Sequence, residues 1–388
     1  LQKVKIVAIF KLSQLDEYAV TGLVGLSIAC ANLKKCTKQK YRFTRRTEGD
    51  STIIGTILML VIVLIVASVA VVWAVPENQR KTLESQYRSS HGQFECVAAT
   101  VREAIFDASG TNNGPYSSRT CRISIGTGTL SIKQKEEVML VSYTLDNGTD
   151  GDVKFDFIYY TTTNATNGES ITVDYLNIFN YTKDGNRSSG NMKITHRWLN
   201  GSTSPVTAID SNRDGVYALD PPESLVNTFI TVSDPSNDTP MAEAWILQTS
   251  GIIHTIPSTL GTFFIRTANG GIITDYPART AYVDKSPIIF NGNNRMSLYI
   301  VVLESTMASG QNGIYDLTFT VKNYQVNSTF NIRNLRFKVI GEYRDALYSY
   351  FIGKYGFQTN GEHILYNYPI QQLDMLRYMV NLTAEQSR

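Results

Sequence analysis

The chain has 388 residues, 43% of them hydrophobic, which is material for two or three packed domains. Charged residues make up only 18%, and the formal net charge of +2 supplies no field for nucleic acid, so a nucleic-acid partner is excluded. Four histidines at 91, 196, 254 and 363 stand far apart, with no His-Glu-x-x-His pair and no Gly-x-Ser-x-Gly elbow, and the residues point to no catalytic site.

The first informative segment is basic. Lys34, Lys35, Lys38, Lys40, Arg42, Arg45 and Arg46 precede residues 53–75, a run of 23 residues without a charge. At about 1.5 Å per residue such a helix crosses a hydrocarbon core of about 30 Å. The basic flank lies upstream and Pro76-Glu77 downstream, so the positive-inside rule places the N-terminus in the cytoplasm and the remainder outside. An ordinary secretory signal puts its cleavage site after the apolar region. Here Arg45-Arg46-Thr47-Glu48-Gly49-Asp50 precedes it.

That order resembles the class III signal peptide of archaeal type IV pilin-like proteins and archaellins, carried here by Arg45, Arg46, Gly49 and Asp50 and by the apolar helix behind them. The resemblance covers about residues 40–110. It implies cleavage by a prepilin peptidase between Gly49 and Asp50, with loss of residues 1–49 and retention of the helix. Bacterial pilins carry Glu at the fifth mature position, where this chain has Ile54, a departure that favours the archaeal kind. The first methionine is Met59, inside the apolar run, so residues 1–32 are expected to be a mis-called upstream extension, with a sensible leader beginning at Leu33.

Pro76 is expected to kink or restart the helix. Leu83, Tyr87, Phe94, Val97, Val101 and Ile105 then recur at three- and four-residue steps, an amphipathic helix over residues 77–110 that ends at Gly110. Beyond it the period becomes two, at 122–125, 138–145, 153–162, 171–179, 192–199, 228–233, 242–256, 263–267, 271–274, 297–304, 314–323 and 330–340. Asn147-Gly148, Asn167-Gly168, Asp184-Gly185, Asn269-Gly270 and Asn312-Gly313 mark tight turns. The expected fold is therefore α+β: a long N-terminal helix, then a β-rich, sandwich-like head over 111–340 with an internal boundary near 210–223. Tyr343, Ala346, Leu347, Tyr350, Phe351 and Tyr355 open a helical C-terminal region over 341–388.

Cys96 on the helix and Cys121 on the first strand form a candidate disulfide on the oxidising side, against the alternative of two buried thiols. Cys30 and Cys36 belong to the leader. Asn147, Asn164, Asn180, Asn186, Asn200, Asn237, Asn327 and Asn381 open eight N-glycosylation sequons. Asp210, Asn212, Asp214 and Val216 follow the spacing of a calcium loop, but Asp220 comes one position before the expected bidentate acid, so a plain polar turn competes with calcium and is favoured. The reading is a membrane-anchored, pilin-like surface subunit that self-assembles into a filament. A non-polymerising anchored adhesin is the main alternative, and an anchored surface hydrolase the second.

Overall fold

The computed structural model describes residues 50–110, 117–146, 152–165, 168–181, 192–199, 206–209, 216–218, 225–258, 261–269, 271–276, 280–285, 288–291, 294–305 and 309–387. Two compact units divide the chain, residues 1–78 and 79–388. The boundary expected near 210–223 falls mostly outside the described residues.

Helix α1 (Asp50–Gly110) is one element of 61 residues, without the restart expected at Pro76. Proline removes one backbone donor, and the turns on both sides hold the helix across that loss. From Tyr87 onward the anticipated stripe is buried: Tyr87, Phe94, Val97, Val101 and Ile105 face the sheet, with Ala98, Ala104 and Ala108 allowing close approach.

The expected α+β order, a long helix and then a β-rich head, is what the structure has, with the main sheet curled into an antiparallel half-barrel. Its spine runs from β9 (Pro240–Ile256) through β2 (Thr129–Leu145) and β16 (Gly313–Ile340) to β19 (Ile370–Ser387) and β14 (Arg295–Ser305). On one side β10 (Phe263–Ala268), β11 (Gly271–Asp275) and β12 (Tyr282–Lys285) extend it beyond β9. Only β14 and β19 pair in parallel among the described strands. A small second sheet holds β3 (Asp152–Ala165), β4 (Gly168–Tyr181) and β7 (Val216–Ala218). Strands β3 and β4 pair as consecutive antiparallel neighbours up to Ala165 and Gly168, and Asn167 falls outside the described residues.

Alternation along β9 sorts the core. Even-numbered Ile252 and Ile256 pack with α1, while Ala242, Ala244 and Ile246 pack with the small sheet. Odd-numbered Trp245 and Leu247 join the cluster on the opposite face, which includes Leu347 and Phe351 of α2 (Arg344–Tyr355). Both faces of β9 are therefore covered.

The C-terminal region corrects the expectation of helix over 341–388. Helix ends at Tyr355, stopped by Gly356 in the left-handed conformation (φ 74°). The last 18-residue element is β19, whose residues face alternate sides: Leu373 and Met375 join the α2 cluster, and Tyr378, Val380 and Leu382 the α1 cluster. Sheet pairing on both edges and burial on both faces override its helix-compatible composition.

A buried ion pair ties these parts together. Glu137 lies at a register shift in β2, where four steps from Lys133 to Glu137 oppose two from Gly251 to Thr249. Its Oε1 is 3.1 Å from Nη1 of Arg266 on β10, and the two side chains are 3% and 0% exposed. The Arg266 guanidinium stacks 4.9 Å from the ring centroid of Tyr343, whose backbone N–H donates to Glu137 at 3.2 Å. Gly341, at φ +154°, carries the chain past this carboxylate, and a Cβ there would collide with Glu137 Cγ.

Removing one member of such a pair strands the other charge in a dry core. Glu137→Ala should lower unfolding free energy by about 3–5 kcal/mol, and the double variant Glu137→Leu/Arg266→Met by less than that single change. Urea titration of the detergent-solubilised chain measures both; a loss below about 1 kcal/mol for Glu137→Ala would refute the central role of the pair.

Candidate functional site

The first half of α1 is the most unusual surface on the chain. Its span-length apolar window has none of its residues buried, and large side chains remain open throughout, from Ile57 at 59% to Trp73 at 75% exposure. The segment is long and apolar enough to cross a membrane. Gly55, Ala67, Ser68, Ala70 and Ala74 lie among the larger side chains, and Ser68 donates its hydroxyl to the Ile65 carbonyl, which satisfies it within the helix. Asp50, the expected mature N-terminus, opens α1; Gly49 and the basic leader lie outside the described residues.

Other anticipated sites scatter. Of the proposed calcium ligands, Val216 lies in β7 and pairs with Asn177, while Asp210, Asn212, Asp214 and Asp220 fall outside the described residues. No group of three or more metal-ligating side chains occurs among the described residues. Asn237 stands exposed in a turn, its Oδ1 accepting the Thr239 N–H at 2.9 Å. Asn180, Asn327 and Asn381 are half-buried within strands, Asn164 lies in β3, and Asn147, Asn186 and Asn200 fall outside the described residues. Cys96 and Cys121 are brought together as free thiols, with Cys96 exposed and Cys121 buried.

Register alone assembles a further site that periodicity could not reveal. On β5 (Lys193–Trp198), β8 (Thr228–Ser233), β9 and β2, the cross-strand partners Thr195, Thr231, Glu243 and Tyr143 form one row, and Arg197, Phe229, Trp245 and Val141 form the next. The outer end opens as a groove of about 290 Å³ lined by Thr195, Arg197, Phe229 and Thr231. Arg197 lies 5.7 Å over the Phe229 ring, and that ring packs 4.4 Å from Trp245. Behind the groove, Tyr143 donates its hydroxyl to Glu243 Oε2 at 2.6 Å, Thr329 donates to the same oxygen at 3.3 Å, and Trp245 Nε1–H donates to the Tyr143 oxygen.

Burial dominates the electrostatics here. Desolvation raises the Glu243 carboxyl above its ordinary value of 4.5, against the lowering effect of its hydrogen bonds from Tyr143 and Thr329 and of the Arg197 charge. Burial likewise holds the Tyr143 hydroxyl well above the usual phenol range, so it serves as a donor throughout the physiological interval. The row can hold a small polar ligand, but it lacks a second acid or a nucleophile–base pair for hydrolysis. Elsewhere His91 pairs with Asp284 at 2.6 Å, and His254 contacts the Thr127 carbonyl with burial lowering its proton affinity; both act as joints of the fold.

A raised folded-state value means that ionised Glu243 opposes folding. The penalty is absent below the unfolded-state value, grows as pH rises through the folded-state value, and persists above it. Stability of the native chain relative to Glu243→Gln should therefore decline as pH increases from about 4 toward 7. Denaturant midpoints across that range test the sign, and a difference that rises with pH would overturn it. No family model matches the chain, and no curated protein or solved structure resembles it significantly.

Proposed function

We propose that this chain is a pilin-like cell-surface structural subunit, cleaved by a prepilin peptidase, anchored in the membrane by the first half of α1 and assembling into an extracellular filament. The observation that carries this reading is the wholly exposed apolar stretch of α1, attached to a head that builds its own core from residue 79 onward. Leaving such a surface in water would cost tens of kcal/mol at about 25 cal/mol per Å². Lipid satisfies it before assembly. After withdrawal from the bilayer, copies of the same helix must, and Gly55, Ala67, Ser68, Ala70 and Ala74 supply the small side chains through which helices approach closely.

The arrangement of Arg45, Arg46, Gly49 and Asp50 ahead of the helix supports processing that leaves this surface on the mature protein. The N-terminus is then cytoplasmic and the head extracellular. A non-polymerising anchored adhesin is the second reading, favoured by the groove at Thr195, Arg197, Phe229 and Thr231.

Two experiments follow from this reading. Intact-mass analysis of the membrane-derived protein should show a chain beginning at Asp50, and a bulky replacement of Gly49 should leave the longer precursor; a mature chain that begins after Val75 would eliminate the pilin reading. Mechanical shearing without detergent should release the mature chain in sedimentable fibres, and Ala70→Trp should reduce the fibres while sparing membrane insertion. Complete retention in the membrane under piliating conditions would replace the filament subunit with the anchored adhesin.

A further inference from the structure

We propose that Cys96 and Cys121 form an asymmetric redox site in which exposed Cys96 meets a small disulfide oxidant and buried Cys121 resolves the mixed disulfide into an intramolecular bridge. The site rests on the packing of α1 against β1 (Ser118–Ile125), independently of whether the protein forms filaments. Two contacts frame it: Gln93 Oε1 accepts the Ser124 N–H at 2.8 Å, and the Asp107 carboxylate accepts Arg119 Nε–H at 2.8 Å. Between them the Cys96 and Cys121 sulfurs are neighbours, with the Thr100 hydroxyl beside Cys121 and the Cys121 thiol 3.9 Å from the Arg122 carbonyl. The same hydroxyl bonds back to the Cys96 carbonyl at 2.8 Å, which fixes its place on the helix.

Access makes the two sulfurs unequal. Cys96 is exposed, whereas Cys121 retains 3% of its accessible surface, so an external disulfide reaches the first and not the second. Burial, with the neighbouring Cys96 sulfur adding to it, also pushes the Cys121 thiol up to about 12, so it carries little thiolate before the first step.

The chemistry balances with an oxidant of the form R–S–S–R. Cys96 loses its proton to solvent, and its thiolate attacks one oxidant sulfur; the oxidant S–S bond breaks, and R–S⁻ leaves to be protonated as R–SH. Cys121 then loses its proton and attacks the Cys96 sulfur of the mixed disulfide, expelling the second R–S⁻, which is protonated in turn. Two protein thiols are oxidised to one disulfide, and one oxidant disulfide is reduced to two thiols. The product ties α1 covalently to β1, and through β1 to its neighbour β16.

Oxidised glutathione, applied to the full chain in detergent micelles and followed by peptide mass mapping, tests the order of events. The unaltered protein should yield a Cys96–Cys121 peptide pair two hydrogens lighter than the separate peptides, without accumulating a glutathione adduct. Cys121→Ser should stop at a stable one-to-one glutathione adduct on Cys96, and Cys96→Ser should lose modification at Cys121 completely. Circular dichroism establishes that each variant is folded, with Cys121→Ala replacing a serine variant that fails to fold. Glutathionylation of Cys121 in folded Cys96→Ser, absence of an adduct in folded Cys121→Ser, or two alkylatable thiols in oxidant-treated native protein would each overturn the proposal.

Discussion

The buried Glu137–Arg266 pair is the constraint on which the head's geometry turns. A carboxylate and a guanidinium in a nearly dry core are tolerable only in mutual contact, so β2, β10 and the entry to α2 must arrive in one relative position. The register shift in β2 is what lets Glu137 reach it. Two extra residues are absorbed there, an even number, so the facing of β2 survives: Leu130 and Ile132 face α1 before the shift, and Val138 and Leu140 face the small sheet after it. Inserting a single residue would exchange the faces and put Glu137 away from Arg266.

Strand β16 uses the opposite device. Its register against β19 slips by one residue between Val321 and Asn323, and its register against β2 slips by one between Arg333 and Arg336, with Asn331 and Asn334 in the left-handed region. A one-residue bulge reverses which side each following side chain takes. After the first slip even-numbered Tyr324 takes over from odd-numbered Tyr315, Leu317, Phe319 and Val321 against the α1 cluster, and farther along Leu335, Phe337 and Val339 join the α2 cluster. One 28-residue strand therefore lends its first part to the α1 core and its last part to the α2 core.

What could be read in the sequence follows from how many partners an element needs. The apolar run of α1 and the stripe from Tyr87 to Ile105 depend on local period and on one buried face, and both stand in the structure. The strand at 228–233 was legible for the same reason, since a short run bounded by turn residues admits few alternatives. β19 was not, because Ile370, Leu373, Leu376 and Val380 also recur at helical three- and four-residue steps in a segment that follows a real helix. The two strands expected at 314–323 and 330–340 are one element, since Asn-rich bulges resemble turns until a partner strand spans them. Thr195, Arg197, Phe229, Thr231 and Glu243 were missed altogether: their proximity exists only in the register of β5, β8 and β9, which no spacing within one segment records.

The division of α1 gives the last step. Large apolar side chains from Ile57 to Val75 are exposed, and those from Phe94 to Ile105 on the inner stripe are buried, although the helix continues between them. Folding of the head therefore uses only the second part, and the first part keeps its apolar surface uncovered among the described residues. The two parts differ in composition as in burial: the first is aliphatic with small residues interspersed, and the second presents an aromatic and aliphatic stripe complementary to a sheet. Substitutions at Ala70 and at Val97 should act on separate equilibria for this reason, since they share a backbone but no packed neighbours. Such separability follows from a helix whose first part, long and apolar enough to cross a membrane, adds nothing to the core of the head.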